Sequence, residues 1–151
     1  MAHIRMSFYT PAPVEYVLDY VTEPDNMPAW NSNFVANENR PGGPITVGTS
    51  WTQVSKIGGR SIEFRRKVLK YEPPHRIVWE MIGLGGRMLL AFELQPQGSG
   101  TKATYIADYT LPGSLLGRFA DKLLESRSKT DTARNIARLK AILHKGAVTE
   151  C

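Results

Sequence analysis

The middle of the chain, residues 33–111, carries strand-like patterns and turn residues but no helical repeat. Clusters of glycine and proline typical of turns divide it into six strands, and they fall at 41–44, 58–59, 73–74, 83–86 and 96–100. Connections this short cannot cross over to a parallel neighbour, so successive strands pair antiparallel. The chain is therefore expected to fold around one antiparallel meander.

Residues before this stretch predict one further strand and two short helices. Alternation of Ile4, Met6 and Phe8 with polar residues predicts a strand over 2–10, added at a sheet edge. Apolar residues from Val14 to Val21 recur at helical spacing until a proline stops them, and a second helical turn is expected over 25–30.

After the strands, one long helix is predicted from a cap at Ser114 to His144, with Lys145-Gly146 as its terminator. A helix of this length exceeds the thickness of a small domain, so it must lie across the sheet. Its apolar stripe is Leu116, Phe119, Leu123, Ile136, Leu139 and Leu143.

The hairpin turns predict which side chains share a face of the sheet. A two-residue turn at Gly58-Gly59 sets Trp51 opposite Arg66, and turns at 73–74 and 84–85 extend the same face across four strands. The last strand is ambiguous by one residue; we choose the register that avoids burying Asp108. The predicted inner face comprises Ile62, Phe64, Val68, Ile77, Trp79, Met81, Met88, Leu90, Phe92 and Leu94, with Ala103, Tyr105, Ala107 and Tyr109.

Composition excludes several classes of protein. With 151 residues the chain suits a single domain over 1–151, and no leader or long apolar run appears, which predicts a cytoplasmic protein without stable membrane insertion. The net charge is +5, but the basic residues are spread along the chain and usually lie beside acidic ones, so nucleic-acid binding is not expected. One cysteine and three distant histidines predict neither a metal site nor a cofactor.

No catalytic residue can be assigned from the sequence. Glu80 is expected on the outer face, in a charge pair with Lys67. Polar residues on the inner face are more informative, because burial without partners is costly. Arg66 has two interpretations: it is satisfied by stacking on Trp51 and by a neighbouring carbonyl, or it meets a ligand's carboxylate, enolate or carbonyl.

The predicted ligand-binding residues are ten residues of the inner face, one tryptophan of the second short helix and two residues of the long helix. They are Trp30, Trp51, Gln53, Phe64, Arg66, Trp79, Met81, Met88, Leu90, Phe92, Tyr105, Phe119 and Leu123.

Six short segments are informative together: APVEYV at 12–17, MPAW at 27–30, VGT at 47–49, YEPPHR at 71–76, GT at 100–101 and LKAIL at 139–143. With the element order, they resemble bacterial members of the polyketide cyclase/dehydrase and lipid-transport superfamily (SRPBCC, START-like). The resemblance implies an α+β helix-grip fold: a seven-stranded curved antiparallel sheet, two short helices and a long C-terminal helix enclosing a cavity.

For function, the resemblance implies binding or transport of a small hydrophobic ligand, such as a lipid, a polyketide or an isoprenoid-like molecule. The alternative is a polyketide cyclase or dehydratase acting in the same cavity, with Arg66 steadying an enolate oxygen and a tyrosine as proton donor. A third hypothesis is an interaction module whose basic helix docks on a partner or an anionic membrane. Homodimer formation is left open.

Overall fold

The computed structural model describes the backbone of residues 2–57, 59–83, 85–110 and 117–149, and side chains within 3–56, 59–83, 85–109 and 129–146. The described strands are β1 (Ala2–Thr10), β2 (Phe34–Glu38), β3 (Ser50–Ile57), β4 (Arg60–Glu72), β5 (Arg76–Gly83), β6 (Gly86–Gln97) and β7 (Gly100–Thr110). They form one seven-stranded antiparallel sheet in the order β1-β7-β6-β5-β4-β3-β2. The predicted meander, with the first strand at its edge, is confirmed.

Tight hairpins set the register of the central strands. Gly59 and Gly85 have φ values of 82° and 71°, a conformation that glycine adopts without a steric penalty. The two turns place Trp51 opposite Arg66 and Met81 opposite Met88, as predicted. In the last hairpin Tyr105 faces Phe92, so the chosen register of β7 is also confirmed.

One irregularity in β4 was not predicted. The register shifts between Val68 and Lys70, which leaves Leu69 as a bulged residue. Beyond the bulge Tyr71 pairs with Ile77, and it packs against the core. The bulge thus returns the end of a 13-residue strand to the inner face.

The helices lie at both ends of the chain. α1 spans Val14–Thr22, a 3-10 helix spans Pro24–Asn26, α2 spans Met27–Trp30, and α3 spans Gly117–Thr149. α1 packs on β5, β6 and β7, whereas the described part of α3 contacts β1 and α2. Buried Ile136, Leu139 and Leu143 join α3 to the core, as the predicted stripe requires. No helix among the described residues has the length and apolarity needed to cross a bilayer.

The predicted end of the long helix is wrong. α3 continues through Gly146 to Thr149, because one glycine weakens a helix by only about 1 kcal/mol and does not stop it. At this position glycine permits close packing of the helix against Tyr16, because a Cβ at Gly146 would lie 2.9 Å from Cζ of Tyr16. Ser114 and Leu116 lie outside the described residues, and the side chains of Phe119 and Leu123 lie outside the described side chains.

Candidate functional site

Arg66 is the charged residue at the centre of the inner face. Its position in β4, between Phe64 and Val68 on the same face, leaves it only 4% exposed. The Cζ atom lies 4.5 Å from the ring centroid of Trp79 and 5.9 Å from that of Trp51. Trp79 is therefore the closer aromatic neighbour, although the sequence had predicted stacking on Trp51.

Hydrogen bonds satisfy only part of the guanidinium. Nη1 of Arg66 donates to Oε1 of Gln53 at 2.7 Å and to Sδ of Met81 at 3.6 Å. Nε2 of Gln53 in turn donates to Oγ of Ser55 at 3.0 Å. Nε of Arg66 is buried and has no hydrogen-bond partner among the described residues. The predicted neighbouring carbonyl is thus the side-chain amide of Gln53, and it accepts a hydrogen bond from Nη1 of the guanidinium.

The charge of Arg66 has no counterion among the side chains that the structure describes. Within the described side chains no carboxylate lies at ion-pair distance from it. Burial lowers the pKa of Arg66 to about 10, so the side chain is still a cation at neutral pH. Burial also raises the pKa of Tyr105, with Tyr109 adding to the rise and Arg66 opposing it. The site therefore combines a desolvated cation with a neutral phenol.

Aromatic rings connect Arg66 to the rest of the inner face. Phe92 makes edge contacts with Trp30 and Trp79, each with ring centroids 6.2 Å apart, and it lies 5.2 Å from the ring of Tyr105. Nε1 of Trp30 and Nε1 of Trp79 are buried without a hydrogen-bond partner in the described part of the chain. By contrast, Nε1 of Trp51 donates to Oδ1 of Asn37 at 3.0 Å.

Several inward-facing side chains keep part of their surface accessible. Met6, Tyr105 and Phe92 lie side by side on three adjacent strands, yet Met6 and Tyr105 are only partly buried. Met88 and Tyr109, opposed to each other on β6 and β7, are also partly buried although they face inward. These inward-facing side chains therefore keep surface that the described residues do not cover.

The structure brings most of the predicted site residues onto one surface. Those that are buried on or against the inner face are Trp30, Trp51, Gln53, Phe64, Arg66, Trp79, Met81, Leu90 and Phe92. Met88 and Tyr105 are the partly buried members. The sequence analysis missed Met6 and Asn37. The register of β1 against β7 could have revealed Met6, whereas the irregular segment before β3 hides the pairing of Asn37.

The outer face of the sheet holds charge pairs. Glu80 accepts a hydrogen bond from Nε of Arg87 at 2.6 Å. The expected charge pair of Glu80 with Lys67 is therefore replaced, although Glu80 and Lys67 lie opposite each other on β5 and β4. His3 pairs with Asp108 across β1 and β7. Among the described residues, no group of His, Cys, Asp and Glu has the arrangement of a metal site.

A curved antiparallel sheet with two short helices and a long C-terminal helix defines an α+β protein of the helix-grip class. The model of the family described as polyketide cyclase / dehydrase and lipid transport matches residues 1–144. The chain belongs to this family. No curated protein matches it in sequence.

Solved structures of the same fold are similar over nearly the whole chain. A Chromobacterium violaceum protein has a TM-score of 0.73 at 18% identity, covering 94% of this chain and 96% of its own. A Rhodobacter sphaeroides protein has a TM-score of 0.69 at 22% identity, with coverages of 94% and 91%. DynU16, from the dynemicin biosynthetic locus, has a TM-score of 0.64 at 24% identity; the match covers 97% of this chain and 48% of DynU16. At these levels of identity, the similarities show a shared fold alone.

Proposed function

We propose that this protein binds or carries a small hydrophobic molecule, such as a lipid, a polyketide or an isoprenoid-like compound, on the inner face of its sheet. The observation that carries the proposal is the set of inward-facing side chains that keep accessible surface, including Met6, Met88 and Tyr105. Apolar surface next to a space attracts an apolar ligand, because burial removes the surface of both from water.

The buried residues around these side chains supply the wall for such a ligand. Trp79, Phe92 and Leu90 are at most 8% exposed and lie on the central strands β5 and β6. Ligand sites of this kind are lined mainly by aromatic and aliphatic groups, with few polar atoms to orient the ligand. Arg66, Gln53 and Tyr105 are the polar groups of this surface. The expected cytoplasmic location, the absence of nucleic-acid partners and the question of a homodimer stay predictions.

Native mass spectrometry and organic extraction of the purified protein test the proposal directly, and a bound apolar compound is the expected result. A matched pair of variants locates the site. Met88→Trp adds bulk on the inner face, whereas Leu89→Trp adds the same bulk to the neighbouring residue on the outer face.

Binding of a neutral dye such as Nile red should fall at least about tenfold in Met88→Trp, because the indole occupies the space of the ligand, and should stay within about twofold in Leu89→Trp. Both variants must first show the far-ultraviolet circular dichroism of the wild type. Equal loss in the two variants, or wild-type binding in both, would contradict an inner-face site.

A second candidate function is a polyketide cyclase or dehydratase in the same site. It is favoured by two polar groups on the same inner face, the cation of Arg66 and the phenol of Tyr105, whose pKa is raised by burial. Such a pair would stabilise an enolate oxygen and supply a proton to it. Arg66→Ala should abolish turnover of a poly-β-keto substrate, and Tyr105→Phe should reduce it. Full activity of a folded Arg66→Ala variant would rule out this role.

A further inference from the structure

We propose that the ligand is an amphipathic acid, an apolar body ending in a carboxylate, and that Arg66 binds the carboxylate. This inference rests on the proposed function and adds the chemical class of the ligand to it. Three observations on the described residues support it: the lack of a counterion for Arg66, the Nε of its guanidinium without a hydrogen-bond partner, and other N–H donors without partners nearby.

The first observation is electrostatic. A buried ion loses several kcal/mol of hydration, and this loss is recovered when an opposite charge is hydrogen-bonded to it. Arg66 is 4% exposed and has no carboxylate within ion-pair distance among the described residues. Stacking on Trp79 contributes about 2 kcal/mol for a desolvated cation, which is less than the several kcal/mol that burial of the ion costs. An anionic ligand group provides the missing partner.

The second observation is geometric. Gln53 and Met81 accept the hydrogen bonds of Nη1, while Nε has no partner in the part of the chain that the structure describes. In an arginine, the Nε side of the fork presents parallel N–H groups that match the two oxygens of a carboxylate. Trp79 lies over the guanidinium at 4.5 Å from its ring centroid. That ring restricts approach over one face and favours a partner lying in the plane of the fork.

The third observation concerns the kind of partner that is missing. Nε of Arg66 and Nε1 of Trp79 are both donors, and Trp30 adds a third unpartnered N–H at the ring cluster around Phe92. An ionised carboxylate is an acceptor with two oxygens and no proton to place, so it suits a surface with surplus donors. An alcohol brings one more donor, and an amine brings charge of the wrong sign.

Matched ligand series test the head group separately from the apolar body. The first series is dodecanoic acid, dodecanol, methyl dodecanoate and dodecylamine; the second is naphthalene-2-carboxylic acid and its methyl ester. Affinities are measured by Nile red displacement below the concentration at which each compound aggregates. In both series the acid should bind at least about tenfold more tightly than its neutral counterpart, as expected for a charge-assisted bidentate contact.

Variants assign the preference to Arg66. Arg66→Met should bring the affinity for the acid to within about threefold of the affinity for the alcohol, and Arg66→Lys should leave an intermediate preference for the acid, because lysine keeps the charge but lacks the planar fork. Arg65→Met is the matched control: it removes the same net charge from the adjacent, exposed residue. It should keep the wild-type preference. Circular dichroism and denaturation confirm that each variant is folded.

The outcomes separate this inference from the proposed function. If neutral compounds and acids bind equally well to the wild type, the acid proposal is overturned and hydrophobic binding stands. If the preference for acids persists in folded Arg66→Met, or disappears equally in Arg65→Met, Arg66 is not the head-group site. If no member of either series binds, the ligand-binding function fails together with the inference.

Discussion

The guanidinium of Arg66 lies 4.5 Å from the ring centroid of Trp79, inside the apolar face of the sheet. Cation–π attraction of this kind is worth about 2 kcal/mol when desolvated, less than the several kcal/mol that burial of an ion costs. The bond to Gln53 offsets some of the difference. Without an anionic partner the arrangement is a net burden on stability, which is typical of binding sites that await a ligand.

Replacing the polar pair by apolar residues should therefore stabilise the ligand-free protein. We expect Arg66→Met combined with Gln53→Leu to raise the free energy of unfolding by about 1–2 kcal/mol, because a desolvated charge and its partner are removed together. Urea denaturation measures the change, with Arg65→Met as a control expected within about 0.5 kcal/mol of the wild type. A loss of stability in the folded double variant would instead assign Arg66 a structural role.

Tyr105 should make the protein less stable above pH 10. Burial raises its pKa in the folded state above the ordinary value of 10.0, so the unfolded chain releases this proton first. The unfolded state then binds fewer protons, and the free energy of unfolding falls as pH rises, by up to about 1.4 kcal/mol per pH unit for one proton. Denaturation between pH 8 and 11 should show a shallower decline in Tyr105→Phe.

Other groups contribute to the same pH range, so only the difference between the two proteins is informative. Tyr20 also has a raised pKa through burial, but it is present in both. The pKa of Arg66, lowered to about 10, acts in the opposite direction and is likewise shared. Identical pH profiles for wild type and Tyr105→Phe would show that the phenol titrates as a solvent-exposed tyrosine.

Asn135 links the long helix by hydrogen bonds to the segment that follows α2. Its Oδ1 accepts hydrogen bonds from the backbone N of Ser32 at 3.1 Å and from Oγ of Ser32 at 3.0 Å, and Asn135 is 8% exposed. Asn135→Ala should lower the free energy of unfolding by about 1–3 kcal/mol, since a backbone donor loses its partner. Ser32→Ala removes only the hydroxyl bond and should cost less in the same measurement. Equal effects would contradict the role of the backbone bond.

Gly146 is required by packing against Tyr16. Alanine is favoured over glycine inside a helix by about 1 kcal/mol, but here its Cβ would lie 2.9 Å from Cζ of Tyr16. In the wild-type background, Gly146→Ala should therefore lower the free energy of unfolding by about 1 kcal/mol, because the steric clash outweighs the higher helix propensity of alanine. In a Tyr16→Ala background the same substitution should stabilise by about 1 kcal/mol. A double-mutant cycle by denaturation measures both, and equal signs would contradict the contact.

Much of the sheet could be predicted from the sequence, because short hairpins couple register to residues that are adjacent in the chain. Two glycines at 58–59 suffice to place Trp51 opposite Arg66, and alternation then assigns every neighbour to a face. The irregular segment between β2 and β3 contains no tight turn from which the register could be counted, so the hydrogen bond from Trp51 to Asn37 could not be predicted. The bulge at Leu69 could not be foreseen either, because the turn between Glu72 and Arg76 has three residues where a two-residue turn at 73–74 was assumed, and the bulge compensates for the extra residue.

By itself, then, the amino-acid sequence determined the order of elements, the antiparallel register and the face on which Arg66 lies, since each follows from local turns and a two-residue period. Only the tertiary structure decided the partners of these side chains. That Trp79 is nearer than Trp51, that Arg87 replaces Lys67 at Glu80, and that Tyr16 meets Gly146 all depend on twist, rotamer and the packing of distant segments.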